Sequence, residues 1–156
     1  MITPRLQEFL DEQKAIYTHA THRLTYTAKD LAEADHVPPW EVAKTVVFVG
    51  DGAFAMAVLP ASERIDLETL RHQLGLRTLR LAGEEELASL FPDVELGAMP
   101  PFGNLYNNLP VYVDSTLAAE ETIAFNAGTH RDVVHMKFKD FKHFVHPIVL
   151  SFAFPA

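Results

Sequence analysis

The chain of 156 residues contains no cysteine. This absence excludes disulfides, thiolate nucleophiles and cysteine-ligated zinc. The sequence also has no run of about 18 apolar residues, which a membrane-spanning helix would need. Its first residues lack the basic start and apolar stretch of a secretory signal. We therefore expect a soluble, cytoplasmic protein with no membrane partner.

Positive charge is scarce as well. Lysine and arginine total 13 against 21 aspartate and glutamate residues, which gives a net charge of −8. Proteins that coat nucleic acid derive their affinity from many Lys and Arg contacts to phosphates, so this balance argues against a DNA-binding protein. A local site that holds one or two phosphates remains compatible with the composition.

Several catalytic signatures are missing. There is no Gly-x-Ser-x-Gly elbow for a nucleophilic serine, and no His-Glu-x-x-His motif for a catalytic metal. The eight histidines form only loose pairs in the sequence, and these are His19 with His22, His130 with His135, and His143 with His146. We expect no metal and no organic cofactor, and an ester-hydrolysing reaction would have to use water as the nucleophile.

Helical and strand patterns alternate without a regular repeat. Helices are predicted over 4–14, 27–34, 67–74 and 83–91, with a helical turn over 140–145. Strands are predicted over 16–21, 44–49, 53–59, 78–81, 111–113, 122–126 and 133–138, and residues 148–154 fit either a strand or a packed tail. This order favours an α/β (mixed α+β) fold that forms one domain over 1–156.

The stretch 96–103 is apolar, uncharged and held between two glycines. Pro100 and Pro101 fix φ and lack an N–H, while Gly97 and Gly103 permit positive φ or close backbone approach. Such a loop is rigid, and its bare amides can donate to a ligand carbonyl or oxyanion. The alternative is an ordinary hydrophobic connection packed on the core.

Lys44 stands at the beginning of a β-branched strand. A lysine is costly in the middle of a buried strand but acceptable at its end, where the amine can reach a binding site. The alternative is an amine that simply extends into water. Trp40, shortly before it, could stack on a nucleobase or be buried nearby.

Several segments, taken in their order and spacing, resemble the YbaK/ProX family of aminoacyl-tRNA deacylases. They are Glu-Val-Ala-Lys44-Thr-Val-Val-Phe, the Ala57 segment, Leu-Gly97-Ala-Met-Pro-Pro-Phe-Gly103, Asp114 closing a strand, Asn-Ala-Gly128 and Asp140-Phe. The resemblance implies a mixed, partly curled sheet flanked by helices. It also implies a free-standing hydrolase that deacylates mischarged aminoacyl-tRNA at its acceptor end, with help from the ribose 2′-hydroxyl. A synthetase that delivers the substrate is left open.

The resemblance also implies roles for individual residues. Lys44 would contact the terminal phosphate or the reacting ester, and Gly97 would supply backbone donors, with Gly128 and His130 on the opposite side. The catalytic set is thus Lys44, Gly97 and His130, and the substrate-binding set is Ala98, Met99, Pro101, Phe102, Gly103, Asp114 and Gly128. Asp114 could instead cap the end of its strand.

One part of the chain departs from the family pattern. The bacterial YbaK type has Lys-Arg where this chain has Thr129-His130, and Asp132 is one residue out of register with the expected aspartate. This departure puts cysteinyl-tRNA in doubt as the substrate and leaves alanyl, seryl and threonyl esters open. A non-catalytic module that binds an aminoacyl-adenosine on the same fold is the alternative function.

Overall fold

Two β-sheets meet at the strand that carries Lys44. The computed structural model describes residues 1–156. Its helices are α1 (Pro4–Glu12), α2 (Ala28–Ala34), α3 (Leu67–Leu74), α4 (Glu84–Leu90), α5 (Ser115–Ala118) and α6 (Phe138–Val145). Its strands are β1 (Tyr17–Thr21), β2 (Ala43–Gly50), β3 (Ala53–Pro60), β4 (Glu63–Ile65), β5 (Leu79–Leu81), β6 (Val111–Asp114), β7 (Thr122–Asn126), β8 (Asp132–Lys137), β9 (Ile148–Leu150) and β10 (Ala153–Pro155).

The larger sheet has the strand order β5-β2-β3-β6-β9, and a second sheet has the order β1-β8-β7. Strands β3, β6 and β9 run parallel to one another, whereas the remaining ladders are antiparallel. A parallel bridge between Val42 and Ala124 joins the two sheets, and β4 and β10 form a separate two-stranded ladder. The predicted mixed, partly curled sheet flanked by helices is confirmed.

The hairpin of β2 and β3 follows from its turn residues. Asp51 and Gly52 both have positive φ, at 48° and 82°, as a two-residue turn of the type that matches strand twist requires. The Asp51 carboxylate accepts hydrogen bonds from the backbone N–H groups of Arg77 and Thr78, which ties the turn to the neighbouring strand. The predicted hairpin is therefore confirmed in position and turn.

The side chains of β7 and β8 point alternately to the two faces of their sheet, and each face packs into a different part of the core. Ile123, Phe125 and Met136 point into the main core with α1 and α6. The intervening residues, which include Ala124 and Val133, pack with Leu31 of α2. By the same alternation, the side chain of Lys44 lies on the face that α2 covers.

One expectation needs correction, and two short elements lie outside the predictions. The last helix begins at Phe138 rather than at Asp140, because the ladder with β7 ends at Lys137 and the Phe138 and Phe141 rings are both buried. The elements β4 and α5 were not predicted, since three and four residues are too few for a periodic pattern. The chain end forms two short strands, β9 and β10.

None of the helices combines the length and hydrophobicity that a bilayer crossing needs.

Candidate functional site

Lys44 is the second residue of β2 and is half-buried. Its Nζ donates to the backbone carbonyl oxygen of Glu63 at 2.5 Å. Burial lowers the pKa of the Lys44 amine, and the positive charges of Lys29 and Arg64 lower it further against the opposing Glu63 carboxylate. The amine is thus held at one point by the backbone and lies in the positive field of two further cations.

Lys29 and Arg64 reach Lys44 from different elements. Lys29 lies on α2 and Arg64 on β4, so their electrostatic effect on Lys44 arises only in the folded chain. Such a cluster on a protein of net charge −8 suits a concentrated negative charge such as a phosphate. Neither Lys29 nor Arg64 was predicted, because both are isolated in the sequence and no motif marks them.

Asn126 is the last residue of β7, and β7 is bridged to the segment that leads into β2. The parallel bridge joins Val42 to Ala124, and Lys44 and Asn126 each stand two residues further along their strands. Because side chains two apart share a face, both point to the side covered by α2. The Asn126 Oδ1 atom is buried and accepts no hydrogen bond.

The glycine-proline loop is tied to the turn between β7 and β8. Gly128 donates its N–H to the Ala98 carbonyl at 3.1 Å, and its own carbonyl accepts from the Glu95 N–H at 2.8 Å. Gly97 has a φ of +88°. The backbone N–H groups of Gly97 and Met99 donate to no acceptor in the protein. Two amides of the loop are thus without an acceptor in the protein, and their use toward a carbonyl or oxyanion stays a prediction.

The second half of the loop is part of the main core. The Phe102 ring lies 5.5 Å from the rings of both Phe125 and Phe141, and its side chain is fully buried. At Gly103 an added Cβ would stand 2.2 Å from the Leu109 carbonyl oxygen. Pro101 is buried beside them. These residues support the loop from behind, and direct contacts between them and a substrate stay a prediction.

Met99 and Leu96 face a separate apolar cavity of about 330 Å³ against α4. Its other walls are Glu84, Glu85, Leu87, Ala88, Phe91 and Val94. The loop thus has this cavity on one side and His130 on the other.

His130 is the side chain closest to the glycine backbone of the loop. Its Nε2 lies 2.7 Å from the Leu96 carbonyl oxygen, and its own backbone N–H donates to Glu95 Oε1 at 2.8 Å. Since a carbonyl only accepts, Nε2 carries the hydrogen and Nδ1 is left as the acceptor of the neutral ring. A Cβ placed on Gly97 would stand 3.5 Å from the His130 ring.

Gly128 is required for the close approach of the first helix. Its φ is +97°, and an added Cβ would stand 2.8 Å from the Thr3 Cβ. Thr3 in turn donates its N–H to the Ala127 carbonyl at 3.0 Å. Gly128 therefore sets the backbone of the turn that presents His130.

The Asp114 carboxylate forms its hydrogen bonds within the protein. Its carboxylate accepts from Thr116 N–H at 3.0 Å, and from the N–H groups of Phe152 and Ala153 at 2.8 and 2.9 Å. Burial acts to raise the pKa of Asp114, but these hydrogen bonds outweigh it and the pKa is lowered. The contacts support the capping alternative, and a substrate contact of Asp114 stays a prediction.

One short segment connects the two halves of the site. Thr25 donates its N–H to the His130 carbonyl at 3.1 Å, and the Tyr26 ring lies 5.1 Å from the His130 ring. Lys29 follows in the first turn of α2, and its charge lowers the pKa of Lys44. The segment 25–29 therefore runs from the His130 side to the Lys44 side. A cavity of about 400 Å³ borders it at Lys29, between α2 and Ser62.

Two of the paired histidines bind carboxylates. His19 Nε2 lies 2.7 Å from Asp132 Oδ1, and His135 Nε2 lies 2.5 Å from Asp35 Oδ2. No group of three or more His, Asp or Glu side chains is placed to share a metal ion.

The fold is a mixed α/β domain in which β2 carries a half-buried lysine and a glycine-proline loop lies against an oriented histidine. Residues 22–144 match the family described as the aminoacyl-tRNA editing domain. The chain belongs to this family, which confirms the resemblance drawn from its sequence.

Three relatives place it within the family. The prolyl-tRNA editing protein ProX of Acetoanaerobium sticklandii is 26% identical over 142 residues, covering 87% of this chain and 85% of that protein. A proline–tRNA ligase of Shouchella clausii is 28% identical over 126 residues, which cover 74% of this chain but only 22% of the ligase. A solved structure described as a candidate trans-editing enzyme for prolyl-tRNA synthetase superimposes with a TM-score of 0.83 at 25% identity, over 96% of this chain and 95% of that chain.

Proposed function

We propose that this protein is a cytoplasmic hydrolase that removes the amino acid from mischarged aminoacyl-tRNA. The proposal is supported by two features that suit different parts of one substrate, a set of cations and a pair of backbone amides. Lys44, with Lys29 and Arg64, suits the phosphate of a terminal nucleotide. The free amides of Gly97 and Met99 suit the carbonyl of an ester.

The chemistry is ester hydrolysis by water. Water attacks the carbonyl carbon, a new C–O bond forms, and the amides of the loop stabilise the oxyanion of the tetrahedral intermediate. The bond to the ribose oxygen then breaks, and a proton from the attacking water ends on that oxygen. The substrate's 2′-hydroxyl carries the proton, and His130 Nδ1 accepts a hydrogen bond from the water or from the substrate amino group.

The names of the relatives indicate which tRNA to test first. ProX is named for prolyl-tRNA editing, and the ligase relatives are named for proline. We therefore propose mischarged proline tRNA as the substrate and its acceptor end as the part that is bound. A prolyl-tRNA synthetase is the corresponding partner that would release or deliver the substrate.

The proposal is tested with proline tRNA charged with alanine, serine, threonine or cysteine. Release of the amino acid is followed over time with the intact protein, with and without a chelator. We expect rapid hydrolysis of at least one ester, and no effect of the chelator. Binding without turnover across the panel would contradict the proposal and favour the non-catalytic binding module.

A further inference from the structure

Tyr26 presents an aromatic ring to solvent beside His130. The residue is 71% exposed, and its ring lies 5.1 Å from the His130 ring at an interplanar angle of 52°. A ring that packs on one neighbour and is otherwise exposed keeps most of its surface free for a ligand. Tyr26 therefore offers a flat apolar surface that a ligand can reach at the edge of the site.

The backbone on both sides of Tyr26 is anchored. Thr25 donates its N–H and its hydroxyl to the His130 carbonyl oxygen, at 3.1 and 3.3 Å, and is itself buried. On the other side, Thr27 Oγ1 accepts from the Asp30 N–H at 3.1 Å and begins α2. The position of the Tyr26 ring is thus set by the fold, as a binding surface requires.

Tyr26 also lies between the two parts of the site. On one side the His130 ring stands against the loop, 3.5 Å from where a Cβ on Gly97 would be. On the other side, Lys29 follows three residues later, and its charge acts on Lys44. In an aminoacyl nucleotide, one ribose carries the phosphate, the ester and the base. A phosphate at the lysines and an ester at the loop leave the base to be bound between them, where Tyr26 stands.

Trp40 is the other exposed aromatic residue that could receive a base. It is 52% exposed and lies in the short 3-10 helix Pro39–Glu41, ahead of β2. Tyr26 differs from it because a ring contact and the backbone of Thr25 join Tyr26 to His130. The structure thus connects Tyr26, rather than Trp40, to the part of the site that holds the ester.

We propose that Tyr26 is the stacking surface for the terminal base of the aminoacyl-tRNA. This inference rests on the proposed function, since only a nucleotide ester brings a base to this position. Stacking on an aromatic ring is open to every base, because each has a π-face. Tyr26 therefore contributes affinity for the nucleotide end without reading which base it carries.

The test compares two probes that differ only in the base, AMP and ribose 5-phosphate. Binding of each is measured by NMR titration of the intact protein, of Tyr26→Phe, which keeps the ring, and of Tyr26→Leu, which removes it. Trp40→Leu is the matched comparison, because it removes an exposed aromatic ring from the other position. Circular dichroism verifies that each variant is folded.

The intact protein should bind AMP roughly tenfold more tightly than ribose 5-phosphate, as expected for one stacked base. Tyr26→Phe and Trp40→Leu should keep this preference. Tyr26→Leu should lose it through weaker binding of AMP, with the affinity for ribose 5-phosphate unchanged.

Three results would overturn the inference. They are a preference that survives in Tyr26→Leu, a preference that is lost in Trp40→Leu, and an equal loss of both probes in Tyr26→Leu, which a purely structural role would produce. An intact protein that hydrolyses the charged tRNAs but shows no preference for AMP would overturn the inference and leave the proposed function standing. A protein that prefers AMP but hydrolyses none of the esters would instead contradict the proposed function.

Discussion

The Nε2–H of His130 donates to the carbonyl oxygen of Leu96 at 2.7 Å, across 34 residues of sequence. This bond fixes the plane and the tautomer of the ring, as a second-sphere partner does for many functional histidines. It also holds the ring against Gly97, whose amide is free. The unshared Nδ1 lone pair is therefore available beside a free backbone donor.

Replacing His130 should affect the reaction more than the fold. In His130→Ala the hydrogen bond to Leu96 is lost, at a cost of about 1 kcal/mol in the free energy of unfolding. The rate of deacylation should fall by about 10²-fold, the lower end of what a positioned proton acceptor contributes. Single-turnover rates and urea unfolding measure the two effects. His72→Ala, on the exposed face of α3, should change neither. A fully active His130→Ala protein would show that His130 has no role in the reaction.

Gly97 and Gly52 provide a matched pair. Both have positive φ, at +88° and +82°, and a Cβ at Gly52 would meet nothing within 4 Å. Gly97→Ala and Gly52→Ala should therefore lose a similar free energy of unfolding, about 1 kcal/mol each. Only Gly97→Ala places a methyl group beside His130, so only this variant should lose deacylation activity, measured as kcat/KM. Equal activity losses in both variants would show that backbone strain alone is responsible.

Gly103 should be essential for folding. In Gly103→Ala the new Cβ would stand 2.2 Å from the Leu109 carbonyl oxygen, which is backbone and cannot rotate away. We expect a loss of at least about 3 kcal/mol or failure to fold, as for other overpacked core positions. Thermal unfolding followed by circular dichroism tests this. The control is Gly83→Ala, where the nearest neighbour is the flexible Glu86 side chain at 3.7 Å. A stable Gly103→Ala protein would mean that the loop can move.

Asp114 gives a prediction about pH. Its pKa is lowered in the folded protein from the usual 3.8, because the hydrogen bonds from Thr116, Phe152 and Ala153 outweigh the opposing effect of burial. A lowered folded pKa means that the ionised group stabilises the fold above the unfolded pKa, and that this contribution is lost as the pH falls through the folded pKa. Asp114→Asn should thus be less stable than the original protein by about 2 kcal/mol at pH 7.

The difference in the free energy of unfolding between Asp114→Asn and the original protein should shrink as the pH falls below 3.8. Urea unfolding across this range measures it, with the exposed Glu8→Gln as the control. A difference that stays constant at acid pH would show that the charge of Asp114 is not what holds the chain end.

The sequence was sufficient for those parts of the fold that have a local cause. The β2–β3 hairpin follows from Asp51-Gly52, and α3 is bounded by Asp66, which accepts from the Thr69 N–H, and by Gly75 with a φ of +65°. The elements β4 and α5 escaped prediction because they are held by tertiary contacts. One such contact is the hydrogen bond from Thr116 Oγ1 to Glu63 Oε2 at 2.9 Å.

The same distinction applies to the site. Lys44 and the glycine loop stand out because a lysine at the start of a strand and the glycine-proline spacing are visible in the sequence, whereas His130 is implied by the family resemblance. The electrostatic effect of Lys29 and Arg64 on Lys44 could not be predicted, since it depends on how α2 and β4 lie near β2. The resemblance assigns Phe102 and Gly103 to substrate binding, and the structure buries both residues in the core.

The most direct test of the account is the rate of deacylation of the susceptible mischarged proline tRNA by Lys44→Ala. Lys44 is the centre of the cationic cluster and its amine is already held by the Glu63 carbonyl. Lys139→Ala, which removes an exposed lysine on α6, is the control, and thermal unfolding verifies that both variants fold. The account predicts a loss of at least about 10²-fold in kcat/KM for Lys44→Ala, corresponding to about 2.7 kcal/mol of transition-state stabilisation, and no loss for Lys139→Ala. A folded Lys44→Ala protein that deacylates at the original rate would contradict it.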